Sequence, residues 1–198
     1  MKLTAITVGI NRVNTYILEF DNCYAVIDPG ANYSKIASYI KDKPCTHVLL
    51  THAHFDHIGA VAEFARRGAK VYLHNGDLEI LHSDGNLASL AGVIIDEFNV
   101  DVVLDDGNVI DIDGTPIEVI STPGHTEGSV CYKIGNILFS GDTLFNLAVG
   151  RTDFPSSDPK KMRSSLNRIF MLQGVDLVYP GHGNSTTLEF EKENNPYA

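Results

Sequence analysis

Four apolar runs in this chain each stop just short of a histidine or an aspartate: "HVLLT" before His52, "IEVISTPG" before His125, "ILFSG" before Asp142 and "LVYPG" before His182. Short runs of this kind, bounded by turn residues, read as buried strands. Ligating side chains at strand ends fall where loops vary while the sheet fixes their origins. The four segments are therefore expected to meet at one sheet edge, which restricts the chain to an α/β architecture.

The other elements fit that frame. "KLTAITV", "NTYILEF" and "YAVIDPG" read as a strand meander ending at the turn Asp28-Pro29-Gly30. Helical spacing follows over "YSKIASYIKD" and, after the strand "THVLL", over "HIGAVAEFARRG" with Gly68 as its stop. "KVYLH" is a further strand, and residues 75–99 carry weaker helical patterns broken at Gly85 and Gly92. From 100 to 140, "NVIDID", "TPIEVIS", "SVCYKIG" and "NILFSGD" read as antiparallel strands and hairpins. "SDPKKMRSSLNRIFML" reads as a helix with Asp158 as N-cap and Pro159 at its first position. The strand "VDLVYPGHG" precedes a short helix from Thr186, with Glu189 completing a capping box and Pro196 closing it. Strands then helices recur in each half, which predicts one α/β domain over residues 1–198, a sheet sandwich flanked by helices.

The stretch "LLTHAHFDHIG" places His52, His54, Asp56 and His57 within six positions directly after an apolar run. Desolvating these groups without partners would cost several kcal/mol, so packing alone does not account for them. Imidazole and carboxylate are suitable ligands for zinc, iron or manganese. In an extended segment His52, His54 and Asp56 point one way and His57 another. His52 and His54 then grip one ion, while Asp56 and His57, at the start of the next helix, reach a second. His125 and His182 complete one site each, and Asp142, with two oxygens, bridges both. Two divalent cations are thus the expected cofactors, with zinc ahead of iron and manganese. His47, His74 and His82 read as surface or hydrogen-bonded residues.

Twenty-five acidic against fifteen basic side chains leave a formal charge of -10. That field repels phosphate backbones and anionic membranes, so the expected partner is a small molecule rather than nucleic acid. Cys23, Cys45 and Cys131 form no CxxC spacing and read as buried small hydrophobes in a reducing compartment. The N-terminus lacks the continuous apolar core of a signal peptide, and no run approaches the roughly 18 apolar residues of a membrane span. A cytoplasmic protein, monomer or homodimer, is expected.

"THAHFDH" resembles the T-H-x-H-x-D-H signature of the metallo-β-lactamase superfamily, and "PGHTEGS", "FSGDTLF" and "YPGHG" resemble its later motifs in order over nearly the whole chain. The resemblance implies an αββα sandwich, two mixed β-sheets packed face to face with helices outside and a metal site at one edge. "GDTLF" followed by "GRTDFP" and the closing "GHG" make the chain most similar to glyoxalase II, the hydroxyacylglutathione hydrolases, and its shorter bacterial relatives. By that resemblance His52, His54, His125 and Asp142 hold the first metal, and Asp56, His57, His182 and Asp142 the second. Full-length glyoxalase II enzymes continue with a helical C-terminal domain that supplies much of the glutathione-binding surface. This chain stops at Ala198, so a short form lacking that domain is expected, with its thiol carrier open.

Arg151 in "GRTDFP" matches the place where the family puts a basic residue near the glutathione carboxylate. Pairing with Asp153 is an equal alternative. Asp28 reads first as a turn residue, and second as a hydrogen-bond partner of a ligand histidine.

The expected reaction is hydrolysis of a thioester such as an S-2-hydroxyacylglutathione. A metal lowers the pKa of bound water toward about 7, the resulting hydroxide attacks, and Asp56 orients it. No G-x-S-x-G motif offers a competing nucleophile. The alternatives are a persulfide dioxygenase with one iron on His52, His125 and Asp142, or a lactone or other ester hydrolase on the same pair of metals. A phosphodiesterase is disfavoured by the acidic balance, and a non-catalytic binding module would have little need for all seven ligands.

Overall fold

The segment Val13–Glu19 shows why the chain layers: Tyr16 and Leu18 turn to one face, Ile17 to the other, and all three are buried. A strand apolar on both faces must be covered on both. The computed structural model describes residues 1–198. Its first sheet runs in chain order through β1 (Lys2–Val8), β2 (Val13–Glu19), β3 (Tyr24–Ile27), β4 (Cys45–Leu49), β5 (Lys70–His74) and β6 (Val102–Leu104). The β1–β2–β3 meander is antiparallel, as expected, whereas β3 to β6 are parallel neighbours. Their connections carry α1 (Tyr33–Ala37), α2 (Phe55–Ile58), α3 (Val61–Ala65), α4 (Leu78–Leu81) and α5 (Ala88–Ala91).

The second half supplies β7 (Val109–Ile112), β8 (Thr115–Ser121), β9 (Val130–Ile134) and β10 (Ile137–Gly141). A small hairpin of β11 (Leu144–Phe145) and β12 (Ala148–Val149) follows, then α6 (Pro159–Phe170), β13 (Leu177–Pro180), β14 (Thr186–Thr187) and α7 (Leu188–Asn194). The second sheet has the order β14-β13-β10-β9-β8-β7, antiparallel except between β10 and β13.

Both sheets are thus mixed, and they pack face to face. Tyr16, Leu18, Ile27 and Leu49 of the first meet Ile117, Val119, Tyr132 and Phe139 of the second. Each fully buried side chain of this size contributes about 1.5–3 kcal/mol. On the outer face of the first sheet, Ile17, Val26 and Val48 pack against Ile36, Ile58 and Phe64 of the helices. On the outer face of the second, Leu138 and Val178 pack against Met162, Leu166 and Ile169 of α6. Helix α6 starts as its sequence requires, with Asp158 accepting from the N–H groups of Lys160 and Lys161 and Pro159 beside it. The result is the αββα sandwich the motifs imply.

Local boundaries differ. The helix expected over 33–42 holds only from Tyr33 to Ala37; beyond it the backbone tightens into three-residue turns, Tyr39 N–H to Ile36 O and Ile40 N–H to Ala37 O, while Ile40 still packs on the core. "HIGAVAEFARRG" divides into α2 and α3 at Gly59, where the backbone lies against Gly30 O so closely that a Cβ would overlap it. The last helix is capped by Thr187, whose hydroxyl accepts from Phe190 N–H; Thr186 sits in β14 and donates to Glu191, so the capping box anchored at Thr186 does not form. The strand β6 carries no clear apolar alternation, with Val103 exposed, and falls outside the sequence reading. No helix is long and apolar enough to cross a membrane.

Candidate metal centre

Three loops and one strand end deliver the histidines and aspartates to the same end of the sandwich. Beyond β4 the backbone stays extended to His54, at φ -69° and ψ 146°, so the period-two reading holds for His52 and His54. It fails at Asp56, because α2 begins at Phe55 and turns Asp56 and His57 about its axis. His57 therefore does not point away: its ring lies 4.1 Å from that of His52. His125 comes from the β8–β9 loop, Asp142 follows β10, and His182 follows β13. All seven side chains gather in three groups whose ligand atoms lie within 4.8 Å of one another: His52, His54 and His125; His52, His57 and Asp142; Asp56, His57 and His182.

Four imidazoles have Nδ1 tied to oxygen and Nε2 left for the centre. His57 Nδ1 donates to Asp28 at 2.9 Å, His125 Nδ1 to the Arg151 carbonyl at 2.8 Å, and His182 Nδ1 to the Asn11 carbonyl at 3.1 Å. His52 Nδ1 lies 3.0 Å from Thr51 Oγ1, whose own proton goes to Asp28. Such outer bonds set the tautomer of a ligand histidine. His54 differs, turning Nδ1 toward His125 Nε2 at 2.9 Å. Asp142 lies between the groups, with Oδ1 at 3.4 Å from His57 Nε2 and Oδ2 at 3.4 and 3.5 Å from Nε2 of His125 and His182.

These atoms fit a cation. The Nε2 atoms of His52 and His57 and Oδ1 of Asp142 are buried and have no hydrogen-bond partner. Each such atom costs about 1–3 kcal/mol unless something coordinates it. Burial and the neighbouring imidazoles hold His52 well below its ordinary pKa and bring His54 down to about 2, which keeps both neutral and able to ligate. Burial also opposes protonation of His57, but the carboxylates of Asp142, Asp28 and Asp56 outweigh it and lift that imidazole to about 10. The centre thus combines neutral nitrogen donors with a negative field that favours positive charge.

Two buried carboxylates hold the loops. Asp28 accepts from Thr51 N–H at 2.8 Å, from Thr51 Oγ1 and from His57, so one side chain steadies both His52 and His57. This corrects its reading as a turn residue first, although the backbone does turn there, at φ 49°. Asp77 accepts from Ala53 N–H, Gly128 N–H and Thr126 Oγ1, fastening the His52–His54 segment to the His125 loop. Residues 75–99 show no strong pattern, and an acid three residues after the strand ending at His74 was the only sequence signal for it.

A third clamp is the β1–β2 turn. Asn11 gives its carbonyl to His182 and donates through Nδ2 to Asp56 Oδ2 at 3.0 Å, while Asn14 N–H donates to Gly181 O at 2.7 Å. Gly181 itself must lack a side chain, because a Cβ there would overlap Asp142 Oδ1 and come within 2.9 Å of His57. Asn11→Ala removes only the side-chain bond to Asp56. It is expected to weaken binding in the Asp56, His57 and His182 group by about 10-fold or more, so that dialysis against limiting zinc leaves nearer one than two ions per chain by elemental analysis.

In front of the carboxylates lies a cleft of about 490 Å³ that Arg151 helps to line. Arg151 is held by both oxygens of Asp153, at 2.9 and 2.8 Å, and stacks over Phe154 at 4.3 Å. The pairing with Asp153 is thus present, in a side chain that also lines the cleft. His47 and His74 are hydrogen-bonded to Thr46 and Ser121, His82 is exposed, and none joins the centre. The three cysteines are unpaired, with Cys23 and Cys131 buried and Cys45 half-buried.

The family model described as the metallo-beta-lactamase superfamily matches residues 8–182. The hydroxyacylglutathione hydrolase GloC of Haemophilus influenzae is 32% identical, over 87% of this chain and 86% of its own. Among solved structures, the BLEG-1 B3 metallo-beta-lactamase superposes with a TM-score of 0.91 at 34% identity, covering 99% of each chain. TTHA1623, solved in a di-iron-bound form, has a TM-score of 0.88 at 36% identity, covering 98% of this chain and all of the other.

Proposed function

The chain belongs to the metallo-beta-lactamase superfamily, and from that premise we propose that it hydrolyses a thioester of the S-2-hydroxyacylglutathione kind at a pair of divalent cations. The observation that carries the reading is the position of Asp142 between two groups, with Oδ2 against His125 of one and His182 of the other and Oδ1 against His57. One group is His52, His54 and His125; the other is Asp56, His57 and His182. Both groups are complete, which supports two ions over one on His52, His125 and Asp142. The likeness to GloC supports a thioester substrate. Zinc suits the donor set, and the di-iron form of TTHA1623 keeps iron beside it.

Bound there, two such ions would polarise a carbonyl and acidify water so that hydroxide is available near neutral pH. The side chains divide the rest of the work. Asp28 and the carbonyls of Asn11 and Arg151 keep the imidazoles in the donating tautomer. Asp56 is fixed through Oδ2 by the amide of Asn11, beside His57 and His182 with which it would hold an ion, and the same carboxylate would orient the attacking water, which is the catalytic role proposed for it. Phe154, edge-on to His54 and His125 at 5.5 and 5.9 Å, shields that side of the centre from solvent.

The test is elemental analysis of purified protein beside a thiol-release assay on S-lactoylglutathione. Two ions per chain with release abolished by chelation is the expected result. One iron per chain with oxygen consumed on glutathione persulfide would replace this reading, as would hydrolysis confined to a β-lactam.

A further inference from the structure

The cleft has two unlike walls. One comes from the first sheet's connections and is apolar: Phe55, Leu87 and Leu90. The other comes from the second half and is mixed: Phe145, Val149 and Phe154 beside Arg151, the only lysine or arginine that lines the cleft. Arg151 is neutralised by its bond to Asp153, so little positive charge remains for a strongly anionic substrate arm.

Leu90 is 82% exposed and belongs to none of the three cores. An apolar side chain left in water beside a catalytic cleft gains by contact with an apolar ligand group. Leu87, next to it, is held at φ 65°, a conformation unusual for leucine, at a residue that lines the cleft. The apolar surface also continues. A second cavity of about 470 Å³ shares Phe55 and Asp56 with the cleft, and it is lined by Ile10 and Ile94, which are 74% and 93% exposed.

We propose that this track from Leu90 across Phe55 toward Ile94 takes the acyl arm of the substrate, and that this arm is an aliphatic chain rather than a short hydroxyacyl group. The inference rests on the thioesterase part of the proposed function and replaces its short hydroxyacyl group with an aliphatic chain. Arg151 and Phe154 on the opposite wall leave the polar thiol carrier its place, which assigns the acyl group to the apolar side. Neighbouring carbons of the chain would replace water against Leu87, Leu90 and Phe55, while the carbonyl stays at the carboxylates and imidazoles.

The experiment is a kcat/KM series on the metal-loaded protein with S-acyl-N-acetylcysteamine thioesters from acetyl to octanoyl, and with S-lactoylglutathione. A methylene buried on every side raises kcat/KM about fourfold, and one covered on a single side about twofold, so a rise of about twofold per methylene is expected. Leu90→Ser and Ile94→Ser, both on exposed side chains that leave the cores intact, are expected to flatten the slope. A flat or falling series with thioesters still cleaved overturns this inference and leaves the thioesterase reading standing. A slope that both variants retain also overturns it. No cleavage of any thioester overturns both.

Discussion

Asp142→Ala is expected to lose both ions and all measurable thioester hydrolysis together. The carboxylate offers Oδ1 on the side of His57 and Oδ2 on the side of His125 and His182, so one substitution removes a donor from each group. Each half then keeps only three side chains, and nothing nearby replaces the missing oxygen. Loss of a mere outer hydrogen bond costs about 10–100-fold in metal affinity or activity, so loss of a shared donor exceeds that. The fold should persist, because Asp142 lies in a loop outside all three cores. Elemental analysis and thiol release on a variant with unchanged far-ultraviolet circular dichroism are the measurements. Full occupancy by two ions would refute the bridging role.

Asp77→Ala is expected to strike stability and the centre at once. The substitution leaves the N–H groups of Ala53 and Gly128 buried without an acceptor; Thr126 still has Ser129 Oγ at 2.8 Å. Two orphaned donors cost about 2–6 kcal/mol. At about 2–4 °C per kcal/mol for a chain of this size, the thermal midpoint falls on the order of 10 °C. The same change unfastens the His52–His54 segment from the His125 loop, so affinity falls most for the ion in that group. Thermal denaturation with and without excess zinc separates the two effects. An unchanged midpoint would show that Asp77 holds nothing together. This carboxylate is pushed above its ordinary pKa by burial and kept from rising further by the N–H groups it accepts, which fits a structural acceptor rather than an acid for catalysis.

The sequence disclosed most where the signal is local. Tyr16, Ile17 and Leu18 are apolar in succession because both faces of β2 are covered, and the short apolar runs ending before His52, His125, Asp142 and His182 correspond to β4, β8, β10 and β13. Asp158 and Pro159 announce α6 by capping chemistry that acts within three residues. Where two readings compete within one turn, tertiary contacts choose. Thr186 and Thr187 are equivalent caps by composition and both lie in β14; the hydroxyl of Thr186 is committed to Glu191, which leaves the capping role to Thr187.

Residue types, their spacing and the alternation of apolar side chains determined by themselves that two covered sheets would form and that three imidazoles and a carboxylate would follow the first strand end. Only the folded chain decided how those groups are held and what stands before them. Asp28 and Asp77 reach partners 23 to 51 positions away, and the apolar wall of Phe55, Leu87 and Leu90 unites separate connections. Periodicity and capping extend over a few residues, whereas a carboxylate's partners and a cleft's lining depend on which loops meet once the sheets have packed.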